Sequence, residues 1–330
     1  MTKVLASLAL VALVLSASCT RTQTAPTVVK DSPPLVYPVT AKETVVDVYH
    51  GTEIPDPYRW LEDDNAPKTR DWVKAQNTVT FAHLASIPER GAISNRLTEL
   101  WNFERWSTPS RQGDRYFVSR NNGLQNQSVV YTLTGLDGNP TELLDPNRLS
   151  TDGTVALSGI DVSDDGRLLA YGLSRSGSDW QEWRVRDVAT GKDLPDVVQW
   201  VKFSSASWTA DGRGFYYSRY DTPKVGEAYT GANYYHKLYD HRLGTPQSSD
   251  VLVFHRPDKK EWNFGGGVTD DGNYLVITAT EGTDPRNRVL YQDLTKNDAP
   301  VVELLMDFDA DYTFVDNVGS VFYFRTDLDA

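Results

Sequence analysis

Residues 155–187 read VALSGIDVSDDGRLLAYGLSRSGSDWQEWRVRD, and their order decides the fold. Val155 to Val162 forms one strand, Asp165-Gly166 a turn, and Leu168 to Leu173 a second strand. After a polar loop, Glu182 to Asp187 forms a third. The pattern recurs along the chain. Its turns are Gln112-Gly113-Asp114, Asp165-Gly166, Asp211-Gly212, Asp271-Gly272 and Val318-Gly319, spaced glycine to glycine by 53, 46, 60 and 47 residues. Strands follow at Arg115 to Arg120, Phe215 to Arg219, Tyr274 to Thr280 and Val321 to Arg325, with further ones at Ser128 to Leu133, Val201 to Trp208 and Arg288 to Asp293. An Asp-Gly pair suits a two-residue hairpin turn with positive φ angles. A period near that of propeller blades (roughly 40–50 residues) marks a radial all-β array. A β-sandwich with evenly spaced turns explains the turns but not the repeated order of strand, Asp-Gly, strand, loop, strand. Only 11 residues follow Gly319, enough for one strand. The expected fold is mainly β: a truncated propeller of about four blades plus part of a fifth, preceded by a short helical segment.

Composition agrees. The 330 residues are 39% hydrophobic and 11% aromatic, the balance of a folded β-rich chain. A formal net charge of -12 with no basic stripe excludes a general nucleic-acid-binding role.

The chain begins as an export signal. Lys3 supplies a positive start, Val4 to Leu15 an apolar stretch, and Ser16-Ala17-Ser18 the small residues of a cleavage site. Twelve such residues are too few for a membrane span, which takes about 20. The single cysteine, Cys19, follows directly, as in a bacterial lipoprotein signal, where it would be lipidated. The expected location is therefore the periplasm or cell envelope, with a membrane anchor if Cys19 is modified. An ordinary secretory signal is the alternative. Residues 19–38 read as a flexible tether and 39–102 as a helical segment. Within it, Asp56-Pro57 suggests a capped helix start, Pro67 opens a longer helix, and Ile93, Leu97 and Leu100 mark a helix face. Residues 103–330 carry the propeller.

No self-contained active site is visible. Gly172-Leu173-Ser174-Arg175-Ser176 lacks the second glycine of a nucleophile elbow. Gly265-Gly266-Gly267 lacks the remainder of a dinucleotide fingerprint, and is read as allowing close backbone approach near the propeller axis. The insert Asp221 to Gln247 holds several tyrosines with His236 and His241. Five residues apart and without cysteine, these histidines do not suggest a metal site, so the insert reads as an aromatic loop over the blade edge. No cofactor is expected.

Several segments carry a more specific signal: Asp56-Pro57-Tyr58-Arg59-Trp60-Leu61-Glu62-Asp63, Gly123 to Gln127, Leu144 to Asn147, Ser150 to Leu157, Tyr171 to Ser174, Ser176 to Trp180, Leu194-Pro195-Asp196, Val201 to Ser204, and Glu281 to Pro285. In this order they resemble the prolyl oligopeptidase family of serine peptidases, from about Val36 to the C-terminus. The resemblance implies a seven-bladed propeller that gates access for short peptides, joined to an α/β-hydrolase domain. That domain cleaves after proline with a Ser-Asp-His triad, and the helical N-terminal segment packs on it. No triad residue can be assigned in this chain, which is therefore expected to be inactive alone. The resemblance also implies that Phe203 bounds the substrate pocket and that Asp179 and Trp180 lie near the domain interface. Where some relatives carry an arginine and a cysteine facing substrate, this chain has Thr280 and Thr283. The implied partners are short proline-containing peptides and the hydrolase domain. A stand-alone, lipid-tethered propeller that binds peptides without catalysis is the competing reading, although it would leave Val321 to Arg325 as an unprotected sheet edge.

Overall fold

The computed structural model describes residues 34–224, 226–229 and 231–330; the stretch read from sequence as an export signal, and Cys19, lie outside them. The chain divides into two compact units, up to Ser94 and from Asn95 onward. The first contains a hairpin of Val46–Tyr49 and Thr52–Pro55, a short 3-10 turn at Arg59–Glu62, and the helix Pro67–Ser86. A second helix runs from Arg90 to Trp101. Asp56-Pro57 does not begin a helix. The Asp56 carboxylate instead accepts from Arg59 Nε at 2.6 Å, while the same guanidinium reaches Asp47 on the hairpin. Pro67 does open the long helix, where its missing N–H costs nothing. Ile93, Leu97 and Leu100 are all at least half exposed.

The second unit is a run of four-stranded antiparallel blades. Blade one comprises Arg105–Trp106 with Ser110–Gln112 (one interrupted strand), Arg115–Asn121, Val129–Leu133 and Thr141–Leu144. Blade two comprises Val155–Val162, Leu168–Arg175, Gln181–Asp187 and Lys192–Val201. Blade three comprises Ser207–Trp208, Gly214–Arg219, Lys237–Arg242 and Val251–His255. Blade four comprises Trp262–Val268, Tyr274–Glu281, Asn287–Asp293 and Val301–Leu305. The hairpin Tyr312–Val318 and Val321–Thr326 begins a fifth. Blades two and three share one eight-stranded sheet, joined only where Val201 pairs with Arg219.

The apolar side chains lie between blades. Phe117, Val130 and Leu144 of blade one meet Leu169 and Tyr171 of blade two. Ala170, Trp183 and Val198 of blade two meet Trp208, Phe215 and Tyr217 of blade three. Tyr216 and Leu238 meet Trp262, Phe264, Leu275 and Ile277, and a smaller cluster joins Val276 and Val289 to Tyr312. Successive sheets thus bury one another's faces, which is what a radial array requires. The fold is a β-propeller.

The turns depart from expectation in one respect. All five anchor glycines have φ between 57° and 71°, but the aspartates before Gly166, Gly212 and Gly272 do not share the left-handed conformation. These three loops, 163–167, 209–213 and 269–273, are five residues long, and a Ser or Thr two positions before the aspartate explains why. Ser163, Thr209 and Thr269 donate their hydroxyls to Asp165, Asp211 and Asp271 at 2.6–2.7 Å. Each aspartate then accepts the N–H two residues on at 3.0 Å, so only the glycine must be left-handed. Three of the five anchor glycines are also squeezed: a Cβ at Gly166 would lie 2.5 Å from the Gln112 carbonyl oxygen, one at Gly113 2.5 Å from that of Asp165, and one at Gly272 2.7 Å from the Ala210 Cβ.

Against the expectation of a loop throughout the insert, residues 237–242 are the third strand of blade three. The glycine triplet occupies the first strand of blade four, where only Gly266 is in close contact, against Leu238 and Leu275. Of the three aromatics near the C-terminus, Phe322 and Phe324 turn toward blade four, with Phe322 edge-on to Tyr274 and Tyr291; Tyr323 is half exposed. Alternation along the strand separates them.

Candidate functional site

In an antiparallel meander every second connection returns to the same end of the sheet. Here those are the loops after the second strand of a blade and the links between blades. Segments 176–180, 202–206, 256–261 and 282–286, with the described parts of the loop before Lys237 (220–224, 226–229 and 231–236), therefore share one face of the propeller. A cleft of about 620 Å³ opens there, lined by Phe203, Tyr220, Asn233, Tyr234, Glu261, Asn263 and residues 280–283. Phe203, Thr280 and Thr283, some eighty residues apart in sequence, thus line one cavity.

Phe203 is held in an uncommon conformation. Its φ is 54° and that of Trp200 is 61°, positions a bulky residue adopts only at a cost of order 1–3 kcal/mol. Its neighbours on both sides are anchored. The Lys202 carbonyl faces His236 Nε2 at 3.1 Å, and Ser204 Oγ accepts the Ser218 N–H at 2.8 Å. The Phe203 ring, 54% exposed, is left facing the cleft.

His236 is the buried support of this wall. Its Nδ1 accepts the Phe264 N–H at 2.9 Å, so Nε2 carries the proton and donates to Lys202. Burial pushes its pKa down to about 4, against a weaker upward pull from the Lys202 carbonyl. Tyr220 packs on the imidazole at 4.5 Å and donates its hydroxyl to Asn263. His241 has a separate role. Fully buried, it faces Asp250 at 2.7 Å and Asp196 at 3.3 Å, tying blade three to the last strand of blade two. Burial opposes its charge, but the two carboxylates outweigh it and raise its pKa.

Asp179 and Trp180 end the loop of blade two and meet Phe203 through Lys202. The Lys202 ammonium is 3.7 Å from Asp179 Oδ2 and 3.3 Å from Asn233 Oδ1. It also lies 4.9 Å from the centre of the Trp180 ring and 5.3 Å from that of Phe203. Trp180 stands edge-on to Trp200 and Tyr220, and its indole N–H donates to the Ala228 carbonyl at 2.6 Å. Trp180 also borders a smaller cavity of about 210 Å³, together with Trp200 and Tyr229. The three site residues picked from sequence therefore form one cluster. Lys202 and His236 were not recognised as belonging to it. The one available hint was the position of Lys202 beside Phe203.

Residues 37–330 match the family described as "Prolyl oligopeptidase, N-terminal beta-propeller domain". The chain is 40% identical to the prolyl endopeptidase of Elizabethkingia meningoseptica over 296 residues, covering 90% of this chain and 41% of that protein. It is 33% identical to prolyl oligopeptidase A of Amanita bisporigera, covering 89% and 43%. Among solved structures it superimposes on prolyl oligopeptidase B from Galerina marginata, bound to a 25mer macrocyclization substrate. The TM-score is 0.77 at 28% identity, with 90% of this chain and 45% of that one covered. The chain thus spans less than half the length of these relatives. Blade order, the match over residues 37–330 and these identities together establish that the chain belongs to the prolyl oligopeptidase family, within its N-terminal β-propeller domain.

Proposed function

We propose that this chain forms the substrate-selecting wall of a serine peptidase that hydrolyses short peptides after proline. The observation that carries the proposal is the convergence of Phe203, Thr280 and Thr283 on one cleft. The Phe203 ring, with the exposed Tyr234 also lining the cleft, offers apolar faces suited to a proline ring and its neighbours. Thr280 and Thr283 offer hydroxyls and neither a cation nor a thiol. Nucleophile, base and oxyanion donors must meet within hydrogen-bonding reach, and in this reading a hydrolase domain supplies all three. The propeller then works by screening: peptides short enough to pass reach the cleft, and folded chains do not. The matched Galerina marginata structure holds a peptide substrate, which supports a peptide as the ligand class.

Fluorescence titration tests this directly, because Trp180 and Trp200 lie beside the site. A blocked tetrapeptide, acetyl-Ala-Ala-Pro-Ala-amide, should quench or shift the emission saturably, and its alanine-for-proline analogue should bind at least fivefold more weakly. Equal responses to the two peptides would overturn the proposal.

A further inference from the structure

We infer that Lys202 is a positioning residue of this cleft: its ammonium holds the Trp180 and Phe203 rings at the spacing in which peptide is bound. The inference rests on the reading of the cleft as a peptide site. Three segments distant in sequence meet at this one nitrogen: Asp179-Trp180 from the loop of blade two, Lys202-Phe203 from the link between blades, and Asn233 from the loop of blade three. The lysine side chain is only 12% exposed, whereas Asp179, its one carboxylate contact among the described residues, is 67% exposed and 3.7 Å away. A largely desolvated ammonium with so loose an ion pair needs other compensation. The two ring faces and the Asn233 carbonyl oxygen provide it, and a cation between aromatic faces attracts both.

The backbone gives this arrangement a purpose. Trp200, near the end of the last strand of blade two, and Phe203, inside the link, both have left-handed φ, so the chain bends twice within four residues and projects Phe203 outward. The anchors at Lys202 O and Ser204 Oγ fix its main chain, yet none of them restrains the exposed Phe203 ring. The ammonium restrains that ring and ties it to Trp180. Lys202 itself points away from solvent, and so acts on the ligand through its neighbours.

The test uses the full chain and the same proline tetrapeptide. Lys202→Met keeps the apolar stem and removes the charge, Lys202→Arg keeps a cation able to sit on both rings, and Phe203→Ala reports on the cleft itself. K202M should weaken binding about tenfold with its melting temperature close to wild type, and K202R should recover to within about threefold. F203A should weaken binding at least as much as K202M. Wild-type binding that is lost in F203A but unchanged in K202M would overturn the role of the lysine and leave the peptide site standing. A wild-type chain with no proline-dependent binding would overturn both. If K202M does not fold, Asp179→Asn removes a partner of the ammonium that lies outside the cleft lining. Weakening of about threefold supports the inference, and unchanged binding refutes it.

Discussion

Acidification should loosen the peptide-facing wall through His236, and the size of the effect follows from its surroundings. The neutral imidazole accepts from Phe264 N–H and donates to the Lys202 carbonyl, so protonation would turn its acceptor nitrogen into a second donor facing a donor. Its pKa is pushed down to about 4 in the fold, from an ordinary 6.5. A histidine with a depressed folded pKa contributes stability that is complete above about pH 6.5 and is lost as pH falls toward 4, because the unfolded chain takes up the proton first. Integrated to pH 4.5, the loss is on the order of 2–3 kcal/mol, a large share of a usual 5–15 kcal/mol. His236→Gln removes the titration and leaves the buried Phe264 N–H without its acceptor, costing about 1–3 kcal/mol at pH 7. Urea unfolding at pH 4.5, 5.5, 6.5 and 7.5 should therefore show wild type well above the variant at neutral pH and the gap closing by pH 4.5. Burial raises Asp161 to about 6, which acts in the opposite direction, but both proteins share it and it cancels in the difference. A gap that stays constant within about 0.5 kcal/mol across the range would refute the reasoning.

Three other outcomes are expected. Gly166→Ala forces a left-handed φ of 70° on alanine and drives its Cβ to 2.5 Å from the Gln112 carbonyl oxygen, so it should cost about 2–4 kcal/mol by chemical denaturation; a cost below about 1 kcal/mol would show that blades one and two can part without penalty. The 330-residue chain contains no Gly-x-Ser-x-Gly elbow, and purified alone it should release no chromophore from a proline p-nitroanilide; turnover blocked by a serine-directed covalent inhibitor would contradict this. On the lipoprotein reading of Cys19, whose lipidated cysteine would carry more than one acyl chain, Cys19→Ser should move the protein from the membrane to the soluble fraction, whereas identical fractionation would favour a simple secretory signal.

The blades were legible because their defining feature is local. An Asp-Gly turn between two strands is a contiguous string, and its recurrence does not depend on tertiary contacts. The form of the turn was less legible: Ser163, Thr209 and Thr269 act on aspartates two residues away, and the Asp-Gly pair alone suggested the shorter loop. The strand Lys237–Arg242 was hidden in the insert because its tyrosine and histidine content looked like the loop before it. Phe203, Asp179 and Trp180 were reached through family resemblance, not through a motif with its own chemistry. Lys202 and His236 could not be found that way. A lone lysine and a lone histidine have no spacing to betray them, and His236 meets Phe264 28 residues away while Lys202 meets Asn233 31 residues away.

The central claim is that the face bearing Phe203, Thr280 and Thr283 receives proline-containing peptides. Photo-cross-linking with a diazirine-bearing proline tetrapeptide, followed by peptide mapping, tests it most directly and tolerates weak binding. The account predicts adducts concentrated on segments 202–204, 233–234 and 280–283, competed away by the unlabelled peptide and reduced in Phe203→Ala. Adducts scattered over the blades, or concentrated on the opposite turns at 163–167 and 209–213, would contradict it.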